Sequence, residues 1–498
     1  MGSKKKVVLN LIISTASQVI TLALGLILPR VILVHWGSEY NGLINSVITI
    51  MRYLAILEAG VSTSTLQALY KTIGEKDTNG TSTVVKTAQS YYHKVTFIYT
   101  IIVLVVSFIY PLFLKTSISY WEIFFVILLQ GCIGIINFAF RAAYQQLLNA
   151  EGKYYVISLI TLCTTIITYA SKIAAIIIFD SVIIMQGFGV LVMAFQALVY
   201  AVYFRKKYAW LDKKAKTDFS LLENRKFYII QQVSGLIFNS TDTIILSIFC
   251  GLKVASVYTV YNMVYSALVT FISIVRSSSN FVLGQSYHVN RNKFEKIYTL
   301  YSSFQTVLGG FLSSCSIVLI IGFVELYTRG VTDINYINYL AAILFSINII
   351  LDCSRGASLA GANVAGKASQ TTWRYILEAA INLTISLALV NWIGINGVLI
   401  GTMVAGAWRS IDSIVYFNKQ VLEKKPYKEL LFVAVNLIVF SSFAFFGNSF
   451  KLSIDSYSTF IIYGCITAIV MGVVYCSIYF LGNRITPRKM IAILKDIK

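Results

Sequence analysis

Fourteen apolar stretches, each close to the ~20 residues that an α-helix needs to cross a bilayer, fill most of this 498-residue chain. A first series covers 9–34, 42–68, 92–113, 122–148, 155–178 and 182–204. A second covers 227–250, 254–283, 297–324, 337–360, 372–391, 395–417, 429–447 and 457–482. A backbone in lipid must satisfy its own hydrogen bonds, and stretches of this length do so only as helices. With 57% hydrophobic and 12% charged residues, an ordinary water-soluble domain is excluded. The chain is therefore expected to be an all-α polytopic membrane protein with about 14 transmembrane helices.

An even number of spans puts both termini on one side, and the basic residues say which. Thirty of the 41 Lys and Arg lie in segments 1–8, 70–94, 149–154, 205–226, 284–296, 361–374, 418–428 and 483–498, all on that same side. Only Lys115, Lys253, Arg329 and Lys451 lie on the other. This asymmetry predicts cytoplasmic termini in a bacterial or archaeal cytoplasmic membrane. The net charge of +20 then reflects topology and contact with anionic lipids rather than nucleic acid. The seven cysteines are scattered without CxxC or a neighbouring His, so they predict neither a metal site nor a disulfide framework.

The chain repeats itself. Arg141, Asn149, Gly152 and Lys153 recur as Arg355, Asn363, Gly366 and Lys367, each pair 214 residues apart, and the same offset joins Gly37 to Gly251 and Gly187 to Gly401. Six spans separate the copies, so the repeats run parallel about an axis along the membrane normal. The expected domains are an N-lobe at 1–204, a basic cytoplasmic linker at 205–226, a C-lobe at 227–417, and two further spans with a basic tail at 418–498.

Seven basic residues fall within spans: Arg30, Arg52, Arg141, Lys172, Arg276, Arg355 and Arg409. Each costs about 2.5–3.5 kcal/mol at a bilayer centre, so several together imply a polar interior suited to an anion. Residues present in both halves read as architectural, and those in one half as cargo contacts. By that rule Arg141 and Arg355 hold structure, while Arg30, Arg52 and Arg276, opposite Ile244, Ser266 and Ser62, are candidate anion ligands. Asn41, Asn45 and Arg52 form a polar stripe on the second span. Tyr258, Tyr261, Tyr265 and Arg276 share a face of the eighth, where rings can stack on sugars and a guanidinium can hold phosphate; an aromatic belt at the interface explains Tyr258 and Tyr261 equally well. Glu58 lies close enough in sequence to pair with Arg30 instead. Pro29, four residues after Gly25, favours a bend in the first span.

The pattern G-L-I-L-P-R-x9-E-Y-N-G-L from Gly25 to Leu43, the E-A-G from Glu58 to Gly60, A-L-Y-K from Ala68 to Lys71 and N-A-E-G-K from Asn149 to Lys153 resemble polysaccharide flippases of the multidrug/oligosaccharidyl-lipid/polysaccharide exporter (MOP) superfamily. That resemblance implies two six-helix lobes in a V, a cavity between them and alternating access. In the lipid II flippase branch, arginines on helices 1, 2 and 8 bind pyrophosphate, which points to Arg30, Arg52 and Arg276. The superfamily's C-lobe sodium site would fall on Asp242, Glu378 and Asn382, although Arg374 stands one turn before Glu378.

The expected function is a flippase that moves a polyprenyl-pyrophosphate-linked oligosaccharide to the outer leaflet for cell-surface polysaccharide, such as O-antigen. It would work with a polysaccharide polymerase or glycosyltransferases as possible partners, without a cofactor, and with sodium or proton coupling open. No G-x4-G-K-[ST] phosphate loop is present. The alternatives are a lipid II flippase, a cation-coupled multidrug exporter and, from another class, a membrane glycosyltransferase or polymerase. The outer loops are too short and too bare of carboxylates for that enzyme.

Overall fold

The computed structural model describes residues 3–58, 61–212, 215–222, 235, 240–289, 291–447 and 454–483. Over these the chain is all-α. It forms two compact units, Met1–Ser256 and Val257–Lys498.

The first unit holds α1 (Ser3–Trp36), α2 (Ser38–Leu54), α3 (Val61–Gly74), α4 (Thr78–Phe113), α5 (Tyr120–Phe140), α6 (Ala142–Ala150), α7 (Tyr154–Phe179), α8 (Val182–Lys207) and α9 (Ser240–Phe249). The long helix α10 (Leu252–Val289) starts there. Its core is a continuous apolar cluster that includes Val47, Val103, Ile127, Met185 and Leu252. Side chains cap the entries: Asp77 accepts from the Gly80 N–H, Ser119 from Glu122 and Ser181 from Ile184, each such cap stabilising a helix by about 1 kcal/mol.

The second unit holds most of α10, then α11 (Arg291–Tyr327), α12 (Tyr339–Val364), α13 (Ala368–Ile393), α14 (Ile395–Phe417), α15 (Tyr427–Gly447) and α16 (Tyr457–Asn483). Its most buried span is α12, lined by Ala, Gly and Ser that let neighbours approach closely. Helices α15 and α16 pack on α11 through Tyr475, whose ring lies where a Cβ on Gly310 would be. Most of their remaining surface is apolar and exposed, as a lipid-facing flank requires.

Twelve helices among the described residues are long and apolar enough to span a membrane, against the fourteen expected. Eleven expected stretches in the sequence become single helices, a twelfth, 122–148, becomes α5 followed by the short α6, and two others fall short of one. The second, 42–68, breaks at a 3-10 turn, Ala55–Glu58, where the Glu58 carboxylate accepts from the Tyr92 hydroxyl at 3.1 Å. The seventh, 227–250, is described continuously only as α9; residues 227–234 and 236–239 lie outside the described set. Helix α1 runs unbroken through Pro29.

The 214-residue repeat is legible in backbone geometry. After α6, Glu151, Gly152 and Lys153 donate N–H bonds to Leu147, Asn149 and Leu148; after α12, Ala365, Gly366 and Lys367 donate to Gly361, Asn363 and Ala362. Both patterns are the same Schellman-type helix stop. Both glycines take the left-handed conformation it needs, φ 68° and 71°. Gly37 and Gly251 likewise match at φ 82° and 90°.

Candidate functional site

Ionisable side chains in the second unit gather into one buried chain. On α12, Asp352 and Arg355 share a face at i,i+3; on α13, Arg374, Glu378 and Asn382 follow at steps of four; on α14, Arg409 and Asp412 lie at i,i+3. Arg276 arrives from α10. Its guanidinium lies against Gly356, where an added Cβ would sit 2.8 Å from Nε. Only a glycine lets Arg276 reach α12.

The pairing is continuous. Arg276 Nη2 donates to Asp352 Oδ2 at 2.9 Å, and to its carbonyl at 3.1 Å. Arg355 holds Asp352 Oδ1 at 3.0 Å and bonds Glu378 Oε1. Arg409 Nε faces Glu378 Oε2 at 3.5 Å, and its Nη1 reaches Asp412 Oδ2 at 3.3 Å. Arg374 Nε closes the chain on Asp412, 2.8 Å from Oδ2 and 3.1 Å from Oδ1. The Tyr375 ring covers the Arg409 guanidinium at 4.4 Å and Tyr416 that of Arg374 at 4.1 Å. Arg409 is fully buried. Isolated, each charge would be expelled from a membrane interior; paired and hydrogen-bonded, they are retained.

This chain of charges alters several expectations. Arg276 is engaged by Asp352, so its guanidinium is not held open for phosphate. Tyr258, Tyr261 and Tyr265 all pack on Phe345, with centroids at 5.3, 6.1 and 5.7 Å. Tyr261 is fully buried; its hydroxyl donates to the Tyr336 carbonyl and accepts from the Asn338 N–H. Tyr258 is 4% exposed, and these two rings pin α10 to α12 through Phe345.

The sodium site also fits poorly. Both Glu378 oxygens face guanidinium groups. Asn382 offers one buried carbonyl oxygen without a hydrogen-bond partner, while its amide donates to Thr402 at 2.9 Å. Within the second unit the expected donors thus come to one neutral oxygen beside a neutralised carboxylate; the third, Asp242, lies in the first unit.

In the first unit, Asn41 is buried and donates to Ser256 Oγ at 2.7 Å, and Asn45 donates back to Asn41. These two residues fasten α2 to the start of α10. Gly42 beside them lets α2 meet the Leu252 carbonyl, which an added Cβ would approach to 1.9 Å. Arg52 ends α2 with an exposed side chain. Arg30 is half-buried on α1. Asp242 is buried on α9, next to Thr241, whose hydroxyl bonds the Tyr53 hydroxyl of α2.

Arg141, the counterpart of Arg355, bonds neutral partners: Asn137 Oδ1 at 2.8 Å and Gln196 Oε1, with Gln196 in turn donating to Thr164. Thr164 lies 214 residues before Glu378. The architectural arginine is thus common to both halves; in the first it also lies in the field of the Glu58 carboxylate, whereas the chain of ion pairs through Glu378, Arg409 and Asp412 is found in the second. The offset alone could have flagged Glu378, Arg409 and Asp412 as one-half additions. Their mutual contact could not be read from it.

The chain shares its fold with solved structures described as MOP-superfamily transporters. The chain is similar to a lipid II flippase, MurJ, in its inward closed conformation, at TM-score 0.70 and 15% identity over 94% of this chain and 99% of that one. It is similar to a multidrug resistance MATE family transporter in an inward-facing conformation at TM-score 0.66 and 15% identity, over 84% and 98%. A third likeness, at 0.57 and 16% over 85% and 97%, is to a MOP superfamily transporter from Pyrococcus furiosus described by the reverse polarity of its binding pocket. No family model and no curated protein matches the sequence. What the fold defines is a multi-pass membrane protein built like transporters and flippases.

Proposed function

We propose that this protein is an alternating-access flippase that carries a polyprenyl-pyrophosphate-linked oligosaccharide from the inner to the outer leaflet of a cytoplasmic membrane. Its termini would be cytoplasmic. The observation that carries this reading is the reach of the similarity: the lipid II flippase aligns with a tenth more of the chain than the multidrug transporter, a length comparable to a helix pair such as α15 and α16. Arg52, exposed at a break in the second expected span, and Arg30 on α1 supply guanidinium groups for the pyrophosphate, which such groups bind bidentately. Arg276 leaves the set of cargo contacts because Asp352 holds it. Anionic lipids at the basic cytoplasmic face and polysaccharide-assembly enzymes are the expected partners.

The test is flipping of a labelled polyprenyl-pyrophosphate oligosaccharide in proteoliposomes. The wild type is expected to flip it and Arg52→Ala to lose most of the rate, with insertion and thermal unfolding unchanged. Efflux of cationic dyes with no flipping would instead establish the multidrug exporter.

A further inference from the structure

Six carboxylate oxygens belong to the buried chain of the second unit, and each faces a guanidinium nitrogen. Asp352 Oδ1 faces Arg355 and Oδ2 faces Arg276; Glu378 Oε1 faces Arg355 and Oε2 faces Arg409; both Asp412 oxygens face Arg374, with Arg409 also at Oδ2. Four guanidiniums against three carboxylates leave the cluster with one positive charge in excess. A sodium ion entering it would add a second in a low-dielectric interior, where like charges repel strongly.

Arg409 is the member placed where a free cation would serve. It is fully buried, it reaches both Glu378 and Asp412, and its Nη2 has no hydrogen-bond partner. Its position in the repeat is Phe195 in the first half, 214 residues earlier, just as Thr164 precedes Glu378. Of the two bases that face Glu378, Arg355 has its counterpart in Arg141, so the acid and its second base, Arg409, are the additions to the second half. We propose that Arg409 is a resident counter-cation, tethered to α14, that compensates Glu378 beside Arg355 and closes the second unit to sodium.

The proposal is independent of the cargo, and its test does not use transport. Thermal unfolding of the purified full chain would be compared in sodium, potassium and choline chloride at equal ionic strength. The wild type and Arg409→Lys are expected to unfold at the same temperature in all three salts. Arg409→Ala takes the cation from Glu378 Oε2, while Arg355 keeps Oε1 and Arg374 keeps Asp412, and is expected to gain a sodium-selective upward shift, which the double variant Arg409→Ala/Glu378→Gln loses. Should Arg409→Ala fail to fold while the double variant folds, the demand of Glu378 for a cation is shown by that rescue. Should neither fold, the wild-type comparison decides. Sodium-selective stabilisation of the wild type, or a folded Arg409→Ala indifferent to sodium, would overturn the proposal.

Discussion

Arg141 and Arg355 occupy one position of the repeat, yet their removal should cost different amounts. Replacing Arg355 by Ala strips a counter-ion from two buried carboxylates at once: Asp352 keeps only Arg276, and Glu378 keeps only Arg409 at 3.5 Å. Breaking a buried pair from one side costs about 3–5 kcal/mol. Replacing Arg141 by Ala removes hydrogen bonds to the neutral side chains of Asn137 and Gln196. It also relieves the molecule of a desolvated charge, so the net cost is about 1–2 kcal/mol. The difference of roughly 2 kcal/mol or more can be read from denaturant titration of the two variants in one detergent. Adding Glu378→Gln to Arg355→Ala should recover part of the loss, a coupling expected of residues in direct contact. Equal losses for the two arginine variants, or a larger one for Arg141→Ala, would refute the assignment of the charged extension as the source of the cost.

Gly42→Ala would drive a Cβ to 1.9 Å from the Leu252 carbonyl oxygen, a backbone contact that no side-chain rotation relieves. It should destabilise the first unit by at least the ~1–3 kcal/mol of ordinary overpacking, seen as a lowered unfolding temperature. At Gly152 and Gly366 nothing lies within 4 Å of an added Cβ, so alanine there should cost only the left-handed conformation, about 1–2 kcal/mol, and nearly the same at both sites. Where α1 ends beside the end of α7, hydrogen bonding from the Trp36 indole, then from His35, holds the Asp180 carboxyl below its usual range. The sign follows from the lowered value: its stabilising contribution is present above the ordinary carboxylate pKa of about 3.9 and is lost as pH falls through the depressed one. Asp180→Asn should lower the neutral plateau of an unfolding-versus-pH curve by that contribution and flatten its acid limb.

Hydrophobic length and charge asymmetry are properties of the chain itself, and they were enough to define an all-α membrane protein. A span must be long and apolar whatever it packs against, and the repeat must leave its glycines wherever the backbone takes a left-handed turn. Gly152 and Gly366, and Gly37 and Gly251, carried that into the structure with matching φ values. The break of the second stretch at Ala55–Glu58 was not legible, because the partner of the Glu58 carboxylate there, Tyr92, lies on another helix. The same is true of the candidate site. Sequence could name Arg276, Glu378 and the tyrosines of α10 as polar or aromatic residues on one helix face, but a face does not tell whether its neighbour is a cavity, a ring or a counter-charge. Tertiary structure decided that: Phe345 took the tyrosines, Asp352 took Arg276, and Arg355 with Arg409 took Glu378. Hydrophobicity and helical period are local sums over one segment, whereas charge compensation depends on which segments meet.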